Sequence, residues 1–320
     1  MSQAKFFRLL GIKPVEEEAA PFGGLKNVVI AHRALIEDRT KMEMVDCGIR
    51  DLRLFTKLNK LQWLRLSRNP ISDLTPLQGM NSLQVLNLYG IPKVADENVS
   101  KISDLTPLSG LVNLWSLTLD ENRISDISPL SVLKNLTTLY LTNNLIEDIE
   151  PLESLTGLQT LFLSKNKISK LVSLRGLSSL SWLRLSGNQI SDIWPLSDLE
   201  LLEQLRLNNN KIINLAPLAR LERLQELNLN NNQVSSIVAL TNLRSMKELY
   251  LDNNQIDDLS PILLMKHLRV LTLANNKVSD ISGLRVLRKL KTLVLVGNEI
   301  PYEQVAKLNE QLPECEIVYR

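Results

Sequence analysis

Leu177-Ser-Ser-Leu-Ser-Trp-Leu-Arg-Leu-Ser-Gly-Asn-Gln-Ile-Ser-Asp-Ile-Trp-Pro-Leu196 decides the fold of this chain. With Asn188 taken as position n, Leu stands at n−8, n−5 and n−3 (Leu180, Leu183, Leu185), and Ile at n+2 and n+5 (Ile190, Ile193). Asp192 follows at n+4, with Pro195 and Leu196 at n+7 and n+8. The core x-Leu-x-Leu-x has period two, so its leucines point one way and the flanking residues the other, as in a strand. The proline interrupts any long helix, which predicts an extended or 3₁₀ return leg.

The pattern repeats along most of the chain. Asn69, Asn122, Asn144, Asn166, Asn188, Asn210, Asn232, Asn254, Asn276 and Asn298 fall at steps of 22, apart from one gap of 53. That gap is 22 + 31, one missing mark and nine extra residues. The interrupted coil runs Leu83, Leu86, Leu88, Ile91 and resumes at Ile102, and a weaker coil upstream has Met42, Met44, Cys47, Ile49 and Leu52. Twelve coils result. One short strand per coil cannot pair within its own coil, so successive coils must stack into a parallel sheet with a continuous leucine interior. The Asn at n can donate to and accept from buried backbone groups of neighbouring coils. Cys47 at n reads as a small buried residue with a weak donor.

Composition agrees. Leu occurs 67 times in 320 residues, about a fifth, and Asn 28 times, while aromatics make up 4%. Length alone suggests two domains; the repeat predicts one elongated block over residues 39–300, with caps at 1–38 and 301–320. Lys plus Arg (37) nearly balances Asp plus Glu (35), giving a net charge of +2, so no general nucleic-acid binding is expected. No apolar run reaches about 18 residues, so no membrane span is expected. The segment Met1–Gly11 is interrupted by Arg8 and too short for a signal core, which makes a cytoplasmic location the expectation, with secretion by another route as the alternative. Cys47 and Cys315, far apart in sequence, are not expected to form a disulfide.

Reactive chemistry has little to build on. The imidazoles are His32 and His267, neither beside a nucleophile motif, and phosphate-loop, dinucleotide and paired-cysteine motifs are absent. Asp recurs at n+4 (Asp51, Asp73, Asp104, Asp126, Asp148, Asp192, Asp258, Asp280). A calcium stripe would need a Gly-rich nonapeptide; the expectation is that each Asp accepts backbone N–H groups in its own turn. No enzyme activity, metal, cofactor or small-molecule substrate is expected.

The coils resemble the 22-residue leucine-rich repeats of bacterial internalins and of the leucine-rich regulatory subunit of protein phosphatase 1. The resemblance covers Arg39–Ile300. It implies an α/β fold: a leucine-rich repeat solenoid, arc- or horseshoe-shaped, with the parallel sheet on the concave face and 3₁₀ or extended turns on the convex face. Pro301–Arg320 resembles the helix-plus-strand ending of such proteins. No signal segment or trailing immunoglobulin-like region is evident, unlike secreted internalins.

Function must lie in positions that the repeat leaves variable: n−6, n−4, n−2 and n−1 on the sheet face. In the first two columns stand Trp63, Arg65, Tyr140, Phe162, Trp182, Arg184, Arg206, Glu226, Glu248 and Tyr250. Tyr140, Phe162, Trp182, Arg184 and Arg206 occupy four successive strands, a span of about 15 Å. Clustered Trp, Tyr and Arg have the composition of a protein-binding hot spot; the alternative is cross-strand stacking without a ligand. Glu226, Glu248 and Asp252 on one side and Arg65 and Arg68 on the other suggest a face of divided polarity. Trp115 and Trp194 are expected to pack in the turns or convex layer. The insertion within residues 91–100 is a candidate contact loop. The reading is a non-catalytic module binding a protein partner on its concave face. The alternatives are a regulatory subunit of a phosphatase or other enzyme, and a bacterial effector or adhesin-like protein that binds a host protein.

Overall fold

The computed structural model describes residues 40–92 and 101–319; the expected N-terminal cap, His32 and most of the 91–100 insertion lie outside them. The chain divides into two compact units at residues 145/146, a boundary that falls within the expected 39–300 repeat block.

In the first unit each coil contributes one three-residue strand, at n−6 to n−4: β1 (Lys41–Glu43), β2 (Trp63–Arg65), β3 (Val85–Asn87), β4 (Ser116–Thr118) and β5 (Thr138–Tyr140). The second unit continues with β6 (Thr160–Phe162), β7 (Trp182–Arg184), β8 (Gln204–Arg206), β9 (Glu226–Asn228), β10 (Glu248–Tyr250), β11 (Val270–Thr272), β12 (Thr292–Val294) and β13 (Glu316–Val318). Within each unit the strands pair in parallel and in chain order. Apolar residues face each other at every step: Leu pairs with Leu from β2 to β5 and from β6 to β12, as Leu161 with Leu183 and Leu183 with Leu205, while Met42 pairs with Leu64 and Leu293 with Ile317 at the ends. The nine extra residues leave the register intact, since Val85 pairs with Ser116 across an offset of 31. The return legs carry 3₁₀ turns at n+6 to n+8, such as Thr75–Leu77 and Trp194–Leu196, with the proline inside the turn. After the twelfth strand, α1 (Tyr302–Gln311) buries Val305 and Leu308, and β13 extends the sheet edge. These are solenoids of leucine-rich coils.

The leucines at n−8, n−5 and n−3 are essentially inaccessible: Leu180, Leu183 and Leu185 are all 0% exposed. Each such burial contributes roughly 1.5–3 kcal/mol before conformational entropy is subtracted. The asparagines do what the spacing requires. The Asn188 Oδ1 accepts the Ile168 N–H at 3.0 Å, and its Nδ2 donates to the Leu163 and Leu185 carbonyls at 3.0 and 2.9 Å. In all ten Asn coils Oδ1 accepts the N–H twenty residues upstream, at 2.9–3.2 Å. Cys47 departs from the expectation in one respect: it is half-buried, not buried. Its thiol donates to its near neighbour Val45 O at 3.3 Å, where an Asn would bridge coils. Both cysteines are free thiols.

The Asp column behaves as the turn reading expects. All eight residues accept the N–H two positions ahead, at 2.8–2.9 Å, at the entry to the 3₁₀ turn. The bonds from Thr75 and Thr106 hold Asp73 and Asp104 below the usual carboxylate range, and Arg53 brings Asp51 to about 2.

One column carries a constraint that the spacing does not announce. Position n−1 is variable and, Gly90 aside, exposed or half-buried, as expected. Its backbone is also left-handed, with φ between 54° and 73° at Asp46, Arg68, Glu121, Asn143, Lys165, Gly187, Asn209, Asn231, Asn253, Asn275 and Gly297. Asn and Gly tolerate that region better than other residues, so part of the asparagine surplus serves this turn and not the interior ladder. Gly90, at n−1 of the interrupted coil, is needed for a different reason: a Cβ there would lie 2.2 Å from the Glu121 carbonyl oxygen.

Two stability predictions follow. Asn188→Ala strands one buried N–H and two carbonyls, and should cost roughly 2–4 kcal/mol in chemical denaturation. Gly90→Ala forces the backbone of the next coil aside and should cost about 1–3 kcal/mol. A loss under about 0.5 kcal/mol, the size of an ordinary surface substitution, would contradict the respective account.

Candidate functional site: the open face of the sheet

Strand pleating sends n−6 and n−4 away from the leucine interior, and the two units each present such a face. In the first unit Lys41 Nζ lies 4.2 Å from the centroid of the Trp63 ring on the neighbouring strand. Arg65 pairs with Glu43 at 2.9 Å, both side chains roughly half exposed, and also donates to Ser67 at 3.3 Å. Tyr140 ends β5 in this unit, half-buried.

The second unit holds the rest. Phe162, Arg184 and Arg206 are in direct register on β6, β7 and β8. The Arg184 guanidinium carbon sits 4.1 Å from the Phe162 ring centroid, a stack worth about 0.5–1 kcal/mol at an exposed site. Trp182, two residues before Arg184 on the same face, is 42% exposed. Arg206 Nε donates to Glu226 at 2.6 Å, with the Glu226 side chain only 10% exposed. Next along, the Tyr250 hydroxyl donates to Glu248 at 2.7 Å. Partial burial and that acceptor push the Tyr250 phenol up to about 12. Asp252 accepts the Ala274 N–H at 2.7 Å and an Asn230 amide hydrogen at 3.0 Å, so it acts as a brace between strands.

The structure thus brings together Phe162, Trp182, Arg184, Arg206, Glu226, Glu248 and Tyr250, and separately Trp63 and Arg65. It also revises the expected divided polarity. Arg65 and Arg206 each meet a carboxylate one strand away, so their charges are largely satisfied locally and the face is a set of cross-strand pairs. Cross-strand stacks are present for Arg184 on Phe162 and Lys41 on Trp63.

Trp115 and Trp194 were expected to pack. Trp115, at the strand entry, is 47% exposed, and Trp194, inside its 3₁₀ turn, is 57% exposed. At n+6 the side chain points off the turn, and the four successive coils carrying Val172, Trp194, Ala216 and Val238 leave all of them exposed. Sequence reasoning passed over this column because its other members are mostly polar.

His267 is exposed, and its Nδ1 lies 3.2 Å from Lys289 Nζ. Among the described residues, no group of three or more His, Cys, Asp or Glu is arranged to hold a metal ion, and no helix is long and apolar enough to cross a membrane.

One carboxylate on this side carries an unusual load. Asp120, at n−2 in the first unit, accepts the Thr142 N–H at 2.6 Å, yet burial raises its carboxyl to about 6. The folded state therefore holds this proton more tightly than the unfolded chain. Stability falls as pH rises from about 4 through 6, by on the order of 1–3 kcal/mol, and stays lower above. Asp120→Asn keeps the acceptor and removes the charge. It should raise the melting midpoint at pH 8 and leave it nearly unchanged at pH 4; an equal shift at both pH values would refute the assignment.

The family model described as "Leucine rich repeat" matches residues 134–190 and 244–300, and a two-copy model matches 112–154 and 222–263. No curated protein matches the chain by sequence. Among solved structures, an internalin (InlF) from Listeria monocytogenes is 30% identical, with TM-score 0.76, over 89% of this chain and 88% of that one. Internalin C2 from the same species is 35% identical, with TM-score 0.56, over 62% of this chain and 87% of its own. A leucine-rich repeat protein of Leptospira interrogans shares the fold at 24% identity, with TM-score 0.70, over 84% of this chain and 81% of that one. With its 22-residue coils, asparagine ladder and 3₁₀ returns, and with this identity to InlF over nearly its whole length, the chain belongs to the leucine-rich repeat family in its internalin-like form.

Proposed function

We propose that this protein is a non-catalytic recognition module that binds a protein partner on the open face of its sheet, centred on Phe162, Trp182 and Arg184. The leucine-rich repeat fold commonly mediates protein–protein interaction and is typically a non-catalytic scaffold. The observation that carries the reading is the exposed Trp182 beside the preformed Arg184–Phe162 stack. Trp and Arg are favoured anchors of protein interfaces. A stack already in place before binding lowers the entropy cost of ordering those side chains. Flanking pairs such as Arg206–Glu226 and Tyr250–Glu248 supply a polar rim whose hydrogen bonds are satisfied.

Affinity capture from cell extract, followed by mass spectrometry, tests this with the wild-type chain and a Phe162→Ala/Trp182→Ala/Arg184→Ala variant. A protein retained by the wild type should be depleted at least tenfold by the variant, matching a hot-spot loss of about 2 kcal/mol or more. Equal recovery by a variant with an unchanged circular dichroism spectrum would remove the patch from the account.

A further inference from the structure

The net charge of +2 conceals a basic edge. In the loops that lead into β10, β11 and β12, positions n−10 to n−7 read Arg244-Ser-Met-Lys247, Lys266-His-Leu-Arg269 and Arg288-Lys-Leu-Lys291. The preceding coils read Glu200-Leu-Leu-Glu203 and Glu222-Arg-Leu-Gln225 at the same places. Seven cationic side chains and no carboxylate thus fall in three successive loops, and all seven are exposed. The loops are stacked rungs: the Arg269 N–H donates to Lys247 O, and the Lys291 N–H to Arg269 O, both at 2.8 Å.

Among the described residues, Lys291 alone of the seven has a carboxylate within ion-pair distance, that of Glu314. Lys247 donates to the neutral Gln225 side chain at 2.7 Å. Lys266 and Arg288 donate to the carbonyls of Leu263 and Gln311, each at 2.8 Å, and Lys289 meets His267. The contacts of Lys247, Lys266, Arg288 and Lys289 orient these four cations without neutralising them, in contrast to the open face, where Arg206 meets Glu226.

We propose that this edge binds an acidic run of a protein partner, with its carboxylates laid across the three loops. Adjacent rungs are about 4.8 Å apart, so the edge spans roughly 10 Å, the length of about three extended residues. Arg forks and Lys ammonium groups suit carboxylates. Two other polyanions fit less well. Single-stranded nucleic acid requires aromatic platforms for its bases, and the three loops contain no Phe, Tyr or Trp. A membrane surface is gripped by apolar side chains inserted beside the cations, and the apolar residues of these loops, Met246, Leu268 and Leu290, are buried.

The test uses the full chain and a fluorescein-labelled hexaglutamate peptide, read by fluorescence anisotropy at low ionic strength. Binding should weaken about tenfold or more in Lys247→Gln/Lys266→Gln/Arg269→Gln, from the summed loss of three exposed charge pairs. It should also weaken when salt rises from about 50 to 200 mM as screening shortens. The peptide affinity should be unchanged in Trp182→Ala, so failure here and failure of the open-face reading are distinguishable. The substituted side chains are exposed, and an unchanged melting midpoint verifies the fold. No peptide binding, equal binding by the triple variant, or tighter binding of hexathymidylate or phosphatidylserine vesicles would each overturn the proposal.

Discussion

Everything in this structure depends on a hydrogen-bonding deficit. A three-residue strand embedded in a 22-residue coil has no partner within its own coil, and neither do the backbone groups where the strand turns away from the sheet. The strand groups are satisfied by the next coil's strand. The turn groups are satisfied by one side chain, the Asn at n, whose amide reaches the N–H of one coil and carbonyls of two. Unpaired buried backbone groups cost more than a paired one contributes, so the coil is stable as a neighbour and not alone. Leucine burial supplies the driving force; the asparagine determines that the coils stack in one register.

That division explains what was legible in the sequence. Strand positions, 3₁₀ returns, the Asn ladder and the Asp turns repeat every coil, and repetition turns a weak local preference into a firm assignment. The left-handed turn at n−1 was missed although its signal was present, because Asn143, Asn209 and Asn231 stand beside the ladder asparagines and were absorbed into one surplus. The pairing of Arg206 with Glu226 was also missed. The two are on adjacent strands but at different column positions, n−4 and n−6, and reading down columns does not reveal diagonal neighbours. Trp194 was misjudged because large apolar residues are usually buried, whereas position n+6 has no layer above it to pack against.

The same regularity separates the surfaces available for recognition. The open face carries stacked and ion-paired side chains that are ordered before any ligand arrives. The strand-entry edge of β10, β11 and β12 carries charge of which Lys291 alone meets a carboxylate among the described residues. A preorganised face favours slow dissociation, while a cationic edge favours fast, salt-dependent encounter. The two surfaces lie on the same unit and differ in the kind of kinetic control they give.

The pairing of Val85 with Ser116 across an offset of 31, where every other coil uses 22, carries one more consequence. The sheet records which leucine meets which leucine, and is indifferent to how much chain was used to travel between them. Length in this molecule is therefore counted in layers, not residues. A lineage built this way can gain an extra layer, lose one, or grow a protrusion between two of them by simple duplication or deletion. Each such event leaves the layers on either side with the same neighbours they would have chosen anyway.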